Sequence, residues 1–405
     1  MKRILWIAVA LTALFAGCAT AEKEKDAYVL MISLDGFRHD LASMANTPTL
    51  DSLRAVGVYA DIAPCFPANT FPNHYSMATG LHPDHHGLIN NTFHDTELDL
   101  PYAISNGEAR KNPDFYGGEP IWNTATRQGK PAHVYFWVGV EAKVGGVEPE
   151  LWYEYDGNVP FKQRADWIIE ALHRPEAEIP RLVMAYFEEP DAVEHSYAPD
   201  SPQTIAMVEE LDSVLGYLFS SLRTSPIFDK LNIIVTSDHG MTENYPEKYI
   251  NLYSLLDNER IERVVDGVPF YLAPEEDYID EAYEILSAQP HMEVFRREAM
   301  PEQYHYGTTT SRITPLIVLP ELGWRIGYSE RDYPPTPRSA THGYDPFERD
   351  MQMIFYGAGP AFKKGYTHDR LFQNLNDYLI VCHILGLEPA PNDCVWEDIE
   401  GLFAE

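Results

Sequence analysis

Basic residues are scarce in this chain: 30 Lys and Arg stand against 62 Asp and Glu, giving a formal net charge of −32. That field repels polyanions, so binding of polymeric nucleic acid is excluded, and a phosphate ligand of nucleotide size needs local cations to bind at all. Cysteine is scarce too, with four in 405 residues. Neither C-x-x-C nor H-E-x-x-H spacing occurs, so no local motif defines a metal site. Repeats and low-complexity tracts are absent. Beyond the N-terminus no apolar run reaches the ~20 residues of a membrane-spanning helix.

The one long apolar stretch comes first. Lys2 and Arg3 precede a run from Ile4 to Ala16, then small residues and Cys18. This pattern predicts a secretory signal peptide over 1–17. Leu14-Phe15-Ala16-Gly17-Cys18 resembles a bacterial lipobox, with Phe15 where Leu is usual. The resemblance implies lipidation of Cys18, and Ala19 after it implies the outer membrane. The expected protein is exported, either periplasmic or held at the outer membrane by its lipid, with 18–26 as a polar tether and 27–405 as the folded domain. Cys65, Cys382 and Cys394 remain. Export permits disulfides, and Cys382 and Cys394 are close enough in sequence to pair.

Continuous apolar runs predict strands covered on both faces at Tyr28–Leu34, His133–Val138, Arg181–Phe187, Leu231–Ser237 and Met351–Tyr356. Helical spacing marks Pro48–Val56, Phe161–His173, Thr204–Leu222 and Leu371–Leu385, and Pro72 opens a helix running to Thr79. Strands alternating with helices imply an α/β fold with a mostly parallel central sheet and helices on both faces. From about 261 to 338 the rhythm changes to short strands, one helix and a Pro/Tyr-rich tail. This predicts a small inserted α+β subdomain beside the site.

What is abundant at the strand ends is metal-binding chemistry. Asp35 lies in S-L-D-G-F-R and Thr70 in N-T-F-P-N-H. Asp191 and His195 lie in E-E-P-D-A-V-E-H, Asp238 and His239 in S-D-H-G-M, and His342 in T-H-G-Y-D. Asn91 ends H-G-L-I-N-N and supplies an amide. Carboxylate oxygen with imidazole nitrogen suits zinc or a similar divalent ion. Asp191 and His195, four apart, can share one face of a helical turn. In an α/β sheet, chemistry gathers where strands end.

The identity and order of these segments resemble the nucleotide pyrophosphatase/phosphodiesterase family of the alkaline phosphatase superfamily. The resemblance runs from Tyr28 to about Asn392. It rests on T-F-P-N-H-Y-S, G-L-H-P-D-H-H-G-L-I-N-N, Y-F-E-E-P-D-A-V-E-H-S-Y, S-D-H-G-M, H-G-Y-D and L-G-L-E-P-A-P-N. It implies an alkaline-phosphatase-like fold, two zinc ions and a threonine nucleophile. Asp35, Thr70, Asp238 and His239 would hold one zinc, and Asp191, His195 and His342 the other. Asn91 and the backbone N–H of Phe71 would face a phosphoryl oxygen.

The implied reaction is hydrolysis of phosphodiester or pyrophosphate bonds in nucleotides or their derivatives, through a phospho-threonyl intermediate, with release of a nucleoside monophosphate. Two metals about 3.5–4 Å apart can clamp the attacking and leaving oxygens of an in-line displacement. Phe71 and Trp152 are implied to stack on the base, with Tyr155 and Tyr186 as further lining. Arg38 is expected to pair with a carboxylate near the metals.

Glu194, where the family has glycine, and Phe136–Glu141 depart from its pattern and are expected near the groove. Three readings compete on the same site: a phosphomonoesterase, a phosphonate hydrolase and a lipid-headgroup diester hydrolase. Cys65-Phe66-Pro67-Ala68-Asn69 also approaches the sulfatase signature, but lacks its arginine, and Thr70 stands at the nucleophile position.

Overall fold

A computed structural model describes residues 26–308 and 311–404. The expected signal peptide, Cys18 and all of the tether but Asp26 lie outside the described residues. At the centre is an eight-stranded sheet. Its spatial order is Tyr366–Thr367, Val58–Ile62, Met353–Ala358, Leu231–Thr236, Tyr28–Leu34, Leu182–Phe187, Ala132–Tyr135, Leu151–Tyr153. Met353–Ala358 is antiparallel to both neighbours; every other pairing is parallel.

The strand Tyr28–Leu34 is buried along its whole length. Successive side chains of a strand point to opposite faces, so Val29 and Met31 enter one core while Tyr28, Leu30, Ile32 and Leu34 enter the other. Helices 70–79, 121–127 and 377–385 cover the first face. Helices 48–56, 161–172 and 202–222 cover the second. This is why an uninterrupted apolar run, rather than an alternating one, marks the strand.

The stretch 261–320 forms a separate four-stranded antiparallel sheet, ordered 261–265, 270–274, 316–320, 292–296, with helix Ile279–Ser287 against it. Its other face is not free, because Tyr271, Ile317 and Leu319 join the main core.

Two expectations change. The closing helix starts at Asp377, not Leu371. Gln373 instead bridges to Ala63 in extended form, and the Asn374 side chain donates to Asn73 Oδ1 and to the Asp238 carbonyl. Cys382 and Cys394 do not pair, and Cys65, Cys382 and Cys394 are all free thiols. Among the described residues no helix is long and apolar enough to cross a membrane.

Candidate metal centre and active site

Three neighbouring parallel strands, 231–236, 28–34 and 182–187, end level with one another, since Ser33 pairs with Thr236 and Leu34 with Phe187. Asp238, Asp35 and Asp191 therefore emerge side by side at the carboxyl end of the sheet, where α/β folds place their chemistry. Gly36 makes the approach possible. It has φ +68°, and a Cβ there would lie 2.9 Å from the Asp191 Cβ. Its N–H donates to Asp238 Oδ1 at 3.1 Å, while the Asp191 N–H donates to the Asp35 carbonyl at 3.1 Å.

The histidines converge on these carboxylates. His239 Nε2 lies 3.1 Å from Asp238 Oδ2 and 3.4 Å from Asp35 Oδ1. His195 Nε2 lies 3.3 Å from Asp191 Oδ2, and His342 Nε2 3.7 Å from Asp191 Oδ1. Each ring is fixed from behind, with Nδ1 of His195, His239 and His342 bonded to the carbonyls of Ala340, Gly240 and Ala68. A carbonyl can only accept, so Nδ1 carries a proton in each ring, and Nε2 of the neutral imidazole is the atom that could ligate a metal.

Two groups have donor atoms close enough to share an ion: Asp191, His239 and His342, and Asp35, His74 and Asp238. This differs from the expected partition in two respects. His239 stands between the groups, with its ring stacked on His342 at 3.7 Å and its Nε2 turned to Asp35 and Asp238. His74, unassigned from sequence, joins Asp35 and Asp238. Both its nitrogens are committed: Nδ1 donates to the Thr70 carbonyl at 3.0 Å, and Nε2 accepts from Ser33 Oγ at 2.9 Å. With no lone pair left to give, His74 orients the start of the threonine helix rather than ligating. No local signal in the sequence distinguishes that role.

Negative charge in the site is poorly compensated by its neighbours. Asp35 Oδ1, Asp191 Oδ1 and Asp238 Oδ2 are buried and have no hydrogen-bond partner among the described residues. Burial, with Asp238 and Asp191 beside it, raises the Asp35 carboxyl far above its usual range. Burial and the Asp191 charge push Asp238 up to about 8, against the Gly36 N–H bond. Burial also opposes ionisation of Asp191, but the His195 hydrogen bond and the nearby imidazoles hold it below the carboxylate range. Burial lowers His342 to about 4 and His239 well below its usual value. Burial opposes the charge on His195 too, but the Asp191 hydrogen bond and charge raise it to about 9. Buried carboxylates with the neutral imidazoles of His239 and His342 in one cluster suit divalent cations.

Thr70 begins the helix Thr70–Thr79, with its Oγ1 3.2 Å from His239 Nε2. Beside it, Asn90 is the buried scaffold, accepting from Asn69 Nδ2 and the Asn91 N–H. Asn91 is half-exposed. The expectation that Asn91 and the Phe71 N–H both face a phosphoryl oxygen needs correction. The Phe71 N–H donates to Asn91 Oδ1 at 2.9 Å, which leaves Asn91 Nδ2 as the outward donor.

A cavity of about 400 Å³ opens above Asp35, Thr70 and Asp191, walled by Phe71, Phe136, Tyr155 and Tyr186. Trp152 is not part of its lining. It sits in the edge strand Leu151–Tyr153, packed on the core, with its indole N–H bonded to Glu148. Tyr155, past the end of that strand, turns instead over Phe136 and Tyr186. Tyr186 does more than line the cavity: its hydroxyl donates to Asp35 Oδ2 at 2.5 Å. The buried Arg164 grips Glu188 and the Tyr186 carbonyl and lies over the Phe136 ring, fixing wall and metal-side loop together.

The departures from the family pattern separate. Residues 136–139 and Glu141 line the cavity as expected. Glu194 does not; it is fully buried, with both oxygens unpartnered among the described residues. Burial raises its carboxyl strongly, and Arg38 offers partial relief. Arg38 itself pairs with Asp40 and donates to the Met241 carbonyl.

A mostly parallel α/β sheet with carboxylates and histidines at its strand ends is an alkaline-phosphatase-like architecture. The type I phosphodiesterase/nucleotide pyrophosphatase family model matches residues 29–345, and the chain belongs to that family. It is 34% identical over 379 residues to human ectonucleotide pyrophosphatase/phosphodiesterase family member 1, a match over 90% of this chain and 40% of that protein. It is 30% identical over 405 residues to human family member 5, over 99% of this chain and 83% of that one. Murine family member 5, solved as an inactive variant in complex with AMP, superimposes with a TM-score of 0.86 at 30% identity, covering 94% of this chain and all of that one. The chain thus spans under half the length of family member 1 and most of family member 5.

Proposed function

We propose that this protein hydrolyses phosphodiester or pyrophosphate bonds of nucleotides or their derivatives, using two zinc ions and Thr70 as nucleophile, and releases a nucleoside monophosphate. One observation carries the reading. Three unpartnered buried carboxylate oxygens and the Nε2 atoms of three imidazoles anchored through Nδ1 to carbonyls gather at the foot of an aromatic cavity that also holds Thr70. The AMP bound to the murine relative supports a nucleotide in that cavity.

Asp35, Thr70, Asp238 and His239 would hold one ion, and Asp191, His195 and His342 the other. When bound, the ions supply Lewis acidity that favours the Thr70 alkoxide and offsets charge on the transferring phosphoryl group. Thr70 Oγ attacks phosphorus from the first turn of its helix, where the dipole favours a phosphate. Asn91 Nδ2 donates to a non-bridging oxygen, with Asn91 Oδ1 pinned by the Phe71 N–H. Phe71 and Tyr155 flank the base, and Tyr186 fixes Asp35. A phosphomonoesterase would need an uncommitted cation over the phosphate. Arg110, the one cationic side chain of this cavity among the described residues, is instead bound to Glu141 and the Ile104 carbonyl.

The test compares a chromogenic nucleotide diester with a chromogenic phosphate monoester, on zinc-loaded protein and on Thr70→Ala. The diester is expected to lead by about tenfold or more in kcat/KM, one tenfold step being ~1.4 kcal/mol of transition-state binding. Thr70→Ala loses both activities, and EDTA abolishes activity that zinc restores. A faster monoester overturns the assignment. The same proposal takes 27–405 as one catalytic domain with 261–338 inserted, exported and held at the membrane through lipidated Cys18. Cys18→Ala should move the protein from the membrane fraction to the soluble one.

A further inference from the structure

A second cavity, of about 350 Å³, meets the candidate metal centre from another side. Asp191 lines the aromatic cavity and His195 lines this one, yet their side chains are 3.3 Å apart. The centre therefore stands between the two. The second cavity has little aliphatic surface. Asn244, Tyr249, Tyr333, Thr336 and Ser339 line it with amide and hydroxyl groups, and Asp266, exposed, is its single acid.

Arg325 also lines this cavity, from a short strand, Arg325–Gly327, paired with Tyr249–Asn251. Its Nε is buried without a partner, and its guanidinium forms no ion pair, hydrogen bond or ring contact with the described residues. The other arginines near the site are committed: Arg38 to Asp40, Arg164 to Glu188 and Arg110 to Glu141. In a chain of net charge −32, an uncommitted guanidinium half-buried beside a metal centre is built for an anion that arrives with the ligand.

Resting on the phosphodiesterase reading, we propose that this cavity is the leaving-group subsite. Arg325 makes it favour leaving groups that are themselves phosphorylated, as in nucleoside triphosphates or dinucleoside polyphosphates, over a phenol or alcohol. In-line displacement sends the leaving group away from the attacking oxygen. Thr70 Oγ, its proton released to solvent, bonds to the α-phosphorus. The bridging α–β P–O bond breaks, and its electron pair stays on the departing oxygen. Pyrophosphate gains charge in that step, so a fixed cation binds it more strongly in the transition state than in the substrate.

The experiment measures kcat/KM for ATP and for the p-nitrophenyl ester of thymidine 5′-monophosphate on zinc-loaded full-length protein, Arg325→Met and Arg325→Lys. Because hydrogen bonds to charged groups are among the strong ones, Arg325→Met should lower the ATP value by about tenfold to a hundredfold and leave the nitrophenyl value within about twofold. Arg325→Lys should recover most of the loss. Calorimetric binding of inorganic pyrophosphate should weaken in Arg325→Met and recover in Arg325→Lys. Equal effects on both substrates, or none on ATP, overturn the subsite. If neither diester is cleaved yet pyrophosphate binding still depends on Arg325, the subsite stands and the phosphodiesterase reading fails.

Discussion

The Tyr186 hydroxyl and Asp35 Oδ2 are 2.5 Å apart, a hydrogen bond from a cavity wall to a candidate metal ligand. Tyr186→Phe keeps the ring and removes the bond. Partners behind a metal ligand typically govern about tenfold to a hundredfold in affinity, so zinc should be lost to a competing chelator at correspondingly lower chelator concentration. The KM for a nucleotide diester should change little. A raised KM with unchanged zinc retention would assign Tyr186 to substrate contact alone.

Tyr155 and Trp152 should behave differently. Stacking on a base is worth ~1–3 kcal/mol, so Tyr155→Ala should raise KM for a nucleotide diester by about tenfold. Trp152→Ala should leave KM nearly unchanged and lower Tm, because that ring packs on the core. Steady-state kinetics with a thermal melt separates the two.

Asn91 and Asn90 are adjacent but do different work. Asn91→Ala removes the outward donor and should cost ~10²-fold in kcat with Tm unchanged. Asn90→Ala strips the acceptor used by both Asn69 and the Asn91 N–H. It should lower Tm as well as kcat.

Asp377 gives a pH signature. It is fully buried in the first turn of the helix 377–385, and burial pushes its carboxyl from 3.8 up to about 8. The unfolded chain ionises it at the lower value. Between roughly pH 4 and 8 the folded state thus binds the extra proton, and stability falls as pH rises through that window. Asp377→Asn cannot ionise. The melting temperature of Asp377→Asn relative to the wild type should therefore rise steadily from pH 5 to pH 9. Parallel melting curves for the two proteins across that range would contradict the assignment.

Strands buried on both faces were legible because an uninterrupted apolar run has few alternatives, and Tyr28–Leu34 and Leu231–Thr236 lie where those runs stand. Looking just past such strands found Asp35, Asp191 and Asp238, which the level strand ends bring side by side. What stayed hidden depends on side-chain direction. Nothing in N-T-F-P-N-H says that both His74 nitrogens are spent on Ser33 and the Thr70 carbonyl. The Y-F-E-E-P segment likewise does not say that Tyr186 reaches back to Asp35. Trp152 and Tyr155 are three residues apart, and only the end of the edge strand decides which faces the cavity. The helix expected from Leu371 fails for a similar reason. Its first residues are helix-compatible, but tertiary partners intervene: the Ala63 bridge holds Gln373 extended, and the Asn374 bonds keep Asn374–Asn376 in a separate 3-10 turn.

The strand Tyr28–Leu34 is the first of the described strands and the fourth from one edge of the finished sheet, and both its neighbours, 182–187 and 231–236, come far downstream. During synthesis this apolar segment must therefore wait without either partner. Distant pairing of this kind is slow and leaves strand edges open to aggregation. The polypeptide should accordingly depend on holding factors until most of it has emerged. The candidate metal centre, whose residues run from Asp35 to His342, can form only after His342 has emerged.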